Sequence, residues 1–100
     1  MNVAAVVYLK SEGGEVLVLP DGQSKAGTNP DNQILLDGAG ASPDQAAFLR
    51  RGNEAWIIDL GSERGTYVNG LRVDSKQWSA LKNEDVLRFG GWPNFTVFWF

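Results

Sequence analysis

The stretch DLGSERGTYVNG, residues 59–70, decides how the rest of the chain is read. Asn69-Gly70 is a strong hairpin signal, because both central residues of a type I′ turn need positive φ and this pair tolerates it. The turn therefore joins TYV (66–68) to LRV (71–73) as neighbouring antiparallel strands. Just upstream, Gly61 and Gly65 frame a tight loop that carries Glu63 and Arg64. That loop follows EAWIIDL (54–60), which reads as a strand and pairs across Gly52-Asn53 with QAAFLRR (45–51). Short strands separated by turn signals at this density point to an all-β sandwich or barrel.

Towards the N-terminus, residues 3–10 and 15–19 read as a hairpin across Gly13-Gly14. Pro20-Asp21-Gly22 then turns the chain into candidate strands at 24–28 and 32–36. Residues 37–44, rich in small side chains, form a loop. Towards the C-terminus, 85–89 and 95–100 are strands joined across GGWPN. Only 75–82 has a helical option, and it is too short to matter. The sum is ten or eleven short strands in a single domain over residues 1–100. With a start at Met1, the expectation is the N-terminal domain of a longer protein. Alternation offers Trp56, Ile58, Leu60, Tyr67, Leu81, Val86, Leu87 and Phe89 as core candidates.

Twelve acidic and nine basic residues leave a net charge of −3. Phosphate polymers require a cationic footprint, so nucleic acid is not an expected partner. No apolar run is long enough for a membrane-spanning helix, and no membrane partner is expected either. The chain has no histidine and no cysteine, which removes the usual general base, the reactive thiol and the commonest zinc ligands. The aspartates show neither calcium-loop spacing nor a paired-carboxylate arrangement. The expectation is no catalytic residue, no cofactor and no metal site. With no cysteine and no signal sequence, an intracellular and cytoplasmic location fits.

Four blocks, AGTNPDNQILL, ASPDQAAFL, WIIDLGSERGTYVNGLRV and LKNEDVLRFG, follow one another in an order and spacing that resemble the forkhead-associated (FHA) domain family. The resemblance covers nearly the whole chain. It implies an eleven-stranded β-sandwich whose loops at one end bind phosphothreonine peptides. Such a site has a simple physical basis. A phosphate dianion calls for an arginine fork with hydroxyl and amide donors beside it. An asparagine amide holds a peptide backbone by donating and accepting at once.

The family supplies a Gly-Arg pair, a Ser-x-x-His pair and the asparagine of a Ser-x-Asn-Gly-Thr loop. Carried over residue by residue, the glycine is Gly27 and the serine is Ser42. The arginine position holds Thr28, the loop-bracing histidine position holds Gln45, and the asparagine position holds Arg64. Glu63 stands where some members offer the phosphate a hydroxyl. A carboxylate about 4 Å from an anion costs roughly 1 kcal/mol in water and several times that in a partly desolvated pocket. A lost arginine removes a contact of roughly 1.5–3 kcal/mol. The resemblance therefore implies a non-catalytic protein–protein interaction or scaffolding module with a degenerate phosphothreonine site. The alternative is a phosphothreonine reader with a rewired pocket, built on Arg64 and Ser42 with help from Lys25 or Arg50. By analogy the chain is similar to the N-terminal domains of large centrosomal and cytoskeleton-associated proteins, and fold-level analogy does not settle function.

FTVFWF, residues 95–100, poses a separate question. Phe95, Val97 and Trp99 point one way; Thr96, Phe98 and Phe100 point the other. A sandwich strand buries one face only. Phe98 and Phe100, with Trp78 and Trp92, make a candidate aromatic surface for a protein partner, including a second copy of the chain. The competing interpretation is that these rings close the end of the sandwich.

Overall fold

The computed structural model describes residues 6–37 and 40–100, and of Trp92 the backbone alone. Residues 3–5 of the expected first strand, and Gly38 and Ala39 of the expected 37–44 loop, lie outside the described residues. The strands are β1 (Val7–Ser11), β2 (Val16–Leu19), β3 (Gly22–Gly27), β4 (Ile34–Leu35), β5 (Ala46–Arg51), β6 (Glu54–Asp59), β7 (Thr66–Val68), β8 (Leu71–Arg72), β9 (Ser79–Ala80), β10 (Val86–Phe89) and β11 (Gly91–Trp99). They form a six-stranded sheet in the order β2-β1-β11-β10-β7-β8 and a five-stranded sheet in the order β4-β3-β5-β6-β9. This is the all-β sandwich expected from the strand and turn pattern. No helix among the described residues is long and apolar enough to cross a membrane.

Leu9, Leu19, Leu87 and Val97 from one sheet and Phe48 and Ile57 from the other are fully buried between them. Phe89 meets Phe48 and Phe95 edge-on, with ring centroids 6.2 and 5.6 Å apart. That T-shaped geometry sets the positive edge of one ring against the negative face of the next and ties the two sheets together. The hairpin turns fall where glycine and asparagine placed them: φ is 57° at Gly52, 51° at Asn69 and 82° at Gly70.

Several local expectations are corrected. In β6 the inward face is Ala55, Ile57 and Asp59, so Trp56 and Ile58 lie half-buried on the outside and Leu60 is exposed. Asp59 turns inward to hold the following loop, and a period of two then sends its even-numbered neighbours outward. Tyr67 and Val86 also face outward, whereas Leu81, Leu87 and Phe89 are buried as expected. Residues 75–82 form no helix. Ser79 and Ala80 pair instead with Ile57 and Trp56, supplying hydrogen bonds to an otherwise open sheet edge.

The last hairpin turns at Gly90 rather than across GGWPN, and β11 starts at Gly91. Its register runs Phe89↔Gly91 and then Arg88↔Asn94, so Trp92 and Pro93 have no partner on β10. A bulge of this kind is where a strand accommodates proline, which has no N–H to give to the ladder. The strand expected at 24–28 begins at Gly22, and the one at 32–36 shortens to Ile34–Leu35, paired parallel to β3.

Candidate functional site

Register brings the strand ends together. Ala26 at the end of β3 lies opposite Ala46 at the start of β5, which lies opposite Asp59 at the end of β6. In the other sheet Thr66 at the start of β7 faces Phe89 at the end of β10. The loops 28–33 and 60–65 and residues 40–45 therefore converge at one end of the sandwich, with Gly90 among them.

Asp59 holds the 60–65 loop. One of its carboxylate oxygens accepts hydrogen bonds from the amides of Gly61 and Ser62, at 2.9 and 3.0 Å. The other accepts from the hydroxyls of Ser62 and Thr66, at 2.6 and 2.7 Å. Asp59 and Thr66 are buried, so this is a satisfied polar network rather than solvated surface. A carboxylate suits the role because it only accepts, and all four groups around it donate.

Gln45 links three segments. Its Oε1 accepts from the Ser42 amide at 2.7 Å. Its Nε2 donates to the Gly65 carbonyl and to Thr66 Oγ1, both at 2.9 Å. The side chain is fully buried. The position that the family resemblance assigns to a bracing histidine thus keeps that role through an amide with one acceptor and two donor hydrogens.

Gly27 lets two segments approach closely. A Cβ on it would sit 1.9 Å from the Pro43 carbonyl oxygen and 2.7 Å from Asn32 Nδ2. That same carbonyl accepts from the Asn29 amide at 3.1 Å and from Asn32 Nδ2 at 2.7 Å. Sequence reasoning passed over Asn32 and Pro43. The available signal was an asparagine in a turn-rich segment, the kind of side chain that ties backbone to backbone. Ser42 is half-buried; its Oγ accepts from the Glu63 amide at 3.0 Å, and its carbonyl accepts from the Thr28 amide at 3.1 Å. Gly27, Thr28, Ser42, Gln45, Glu63 and Arg64 therefore do share one end of the fold.

On the open side of these loops the chemistry differs. Thr28 and Glu63 are exposed. A hollow of about 730 Å3 lies beside Thr28, lined also by Glu15, Leu17, Gln33, Leu35, Leu36 and Asp37. It contains two carboxylates and no lysine or arginine, and Arg64 does not line it. The Arg64 side chain runs along Gly40 instead: a Cβ built there would lie 3.1 Å from Arg64 Cδ and 3.2 Å from the Gly91 amide nitrogen. Arg64 forms no ion pair with Glu63. Lys25 pairs with Asp44 at 3.3 Å. Arg50 belongs to the other end of β5, where it is buried and its guanidinium reaches the carbonyls of Gly52 and Leu19 at 3.3 and 3.4 Å. Neither supplements the loops.

The four aromatic residues do not form one surface. Phe98 and Phe100 lie on the outer face of the six-stranded sheet, where Tyr8 packs against both at centroid distances of 5.4 and 6.3 Å. Phe100 is 82% exposed. Trp78 precedes β9, at an edge of the five-stranded sheet, so it belongs to a different part of the surface. The Trp92 side chain lies outside the described residues.

Comparison with known proteins agrees with this layout. The family model for the FHA domain matches residues 22–90. The chain is 35% identical over 85 residues to the oxoglutarate dehydrogenase inhibitor of Corynebacterium jeikeium, covering 85% of this chain and 57% of that protein. It is 36% identical over 85 residues to the glycogen accumulation regulator GarA of Mycolicibacterium smegmatis, covering 85% of this chain and 52% of that protein. The chain thus spans about half the length of the curated relatives it matches. A solved structure described as a structural and functional analysis of phosphothreonine-dependent FHA domain interactions superposes with a TM-score of 0.85 at 28% identity, covering 96% of this chain and 98% of that one. Neither curated relative carries a centrosomal or cytoskeletal name, and that analogy finds no support in them.

Proposed function

The chain belongs to the forkhead-associated family, and on that premise we propose that it is a non-catalytic protein-interaction module whose loop end lacks the family's usual hold on phosphothreonine. The exposed Thr28 at the arginine position carries this proposal: the hollow beside it is lined by Glu15 and Asp37 and by no lysine or arginine, and Ser42, Glu63 and Arg64 stand outside it. A phosphate dianion entering there meets like charge, at roughly 1 kcal/mol per close pair in water and more where water is excluded. Glu63 adds a third carboxylate at the loop tip. Arg64 lies along Gly40, off that hollow. Lys25 is shared with Asp44.

Contact with a partner then falls to surfaces outside the loops. Tyr8, Phe98 and the exposed Phe100 offer packed rings on the outer face of the six-stranded sheet. Large rings in contact with one another bring much apolar area at little entropic cost. The names of the curated relatives, an inhibitor and a regulator, support a regulatory use of such contacts.

The test is a titration against a degenerate phosphothreonine peptide library and its unphosphorylated copy. The wild type should treat the two alike. The Thr28→Arg, Glu63→Thr, Arg64→Asn variant should gain a preference of about tenfold or more for the phosphorylated set, since it restores a charge-assisted contact and removes a repulsion. A wild type that prefers the phosphorylated set, and loses that preference on Arg64→Ala alone, would make Arg64 a phosphate anchor and overturn the proposal.

A further inference from the structure

Register places Arg88 of β10, Tyr67 of β7 and Arg72 of β8 in one row across the outer face of the six-stranded sheet. The Arg88 guanidinium carbon stands 4.2 Å from the centroid of the Tyr67 ring. From the other side, Arg72 folds over Gly65. A Cβ built on that glycine would lie 2.9 Å from Arg72 Nε and 3.3 Å from Tyr67 Cε1. The Arg88 guanidinium is thus held against Tyr67, and the Arg72 guanidinium stands over Gly65, next to Tyr67 in the row. Neither makes an ion pair or a hydrogen bond with another described residue. The carboxylate that follows on this row, Glu12, is separated from Arg88 by Asn94 and accepts from the Asn94 amide at 2.8 Å.

This arrangement is unusual for a chain with more acidic than basic residues. A guanidinium stacked on a ring keeps its N–H donors free in its own plane, aimed outward as a fork that fits a carboxylate. Beside the row lies a hollow of about 260 Å3, lined by Tyr67, Gly70, Val86, Arg88 and Asn94.

We propose that this row docks an acidic segment of a partner protein, with side-chain carboxylates seated on Arg88 and Arg72. The proposal rests on the chain's being a protein-interaction module and is independent of what the loop end binds. The spacing suits a peptide. Arg88 and Arg72 stand two strand spacings apart, about 9.6 Å, and carboxylates two residues apart on an extended segment are about 7 Å apart before their flexible side chains spread. Two cations are too few for a nucleic-acid backbone, which takes many phosphate contacts. They are also too few for an anionic membrane, which is held by clusters of roughly four to eight.

The probe is a fluorescein-labelled nonapeptide with glutamate at alternate positions and serine elsewhere, beside its glutamine counterpart. Anisotropy is read at low and moderate salt. The glutamate peptide should bind at least about tenfold more tightly than the glutamine one, as expected for two charge-assisted contacts. Arg72→Gln with Arg88→Gln should abolish that difference. Arg51→Gln with Lys82→Gln, which removes the same charge elsewhere, should leave it within about twofold, since distant exposed charges are screened. Amide shifts on binding should fall on β7, β8 and β10. The Thr28→Arg, Glu63→Thr, Arg64→Asn variant should bind the glutamate peptide as the wild type does. A failure of the loop proposal would appear only with phosphopeptides, so the two remain distinguishable. The docking proposal is overturned if the glutamate peptide does not bind, if the control pair costs as much, or if the shifts map elsewhere. It is equally overturned if a DNA duplex or a phosphatidylserine vesicle is held more tightly than the peptide through the same two arginines.

Discussion

The polar groups beneath the loops and the side chains on top of them differ sharply. Below, Asp59 accepts four hydrogen bonds and Gln45 makes three, all with buried or backbone partners. Above, the side chains of Thr28, Glu63 and Arg64 make no hydrogen bond or ion pair with another described residue. A buried polar group that loses its partner costs stability outright, whereas an exposed side chain without one costs almost nothing. The shape of the loops is thus tied to folding, and the chemistry they present is not. A frame that resembles a phosphate site can persist while its ligand-facing residues are altered.

Substitutions can break or sharpen that contrast. Asp59→Ala should have the largest effect, destabilising the chain by about 4 kcal/mol, because it strands two hydroxyls and two amides at once. Urea denaturation measures it, and Asp59→Asn, which keeps one acceptor oxygen, should lose about half as much. Gly27→Ala should cost about 3 kcal/mol by the same measurement, since its Cβ would overlap the Pro43 carbonyl and force β3 away from that segment. Gln45→Ala should cost about 2 kcal/mol and raise amide exchange at Ser42. Thr28→Arg, on the open side, should change stability by less than about 0.5 kcal/mol. Lys25→Ala should be smaller still, because its pair with Asp44 is about half exposed on both sides. If Thr28→Arg destabilises as strongly as Gln45→Ala, the separation between support and presentation is wrong.

Much of the fold was legible in short-range signals. Asn69-Gly70 and Gly52-Asn53 demanded hairpins because few other pairs adopt positive φ cheaply, and the hairpins are there. Strand faces were less legible. EAWIIDL has apolar residues at adjacent positions, so alternation alone did not choose a side, and the buried Asp59 settled it against Trp56 and Ile58. The 75–82 segment took its two-residue strand from the needs of the β6 edge, a neighbour distant in sequence.

Of the candidate site, residue identities were legible and directions were not. Sequence placed Glu63 and Arg64 on one loop and Thr28 at a strand end, yet Arg64 turns along Gly40 because that residue's missing side chain leaves it room. The Arg88–Tyr67–Arg72 row was invisible, since its members come from separate strands and share no motif.

By itself the sequence determined most of the strands, the turns and the charge balance. These depend on local backbone preference and on which groups are present. The tertiary structure decided which side of each strand is buried, where each cation goes and which residues from distant strands become neighbours. Those outcomes depend on register and packing between sheets, where one polar group needing a buried partner can override the preference of a whole strand.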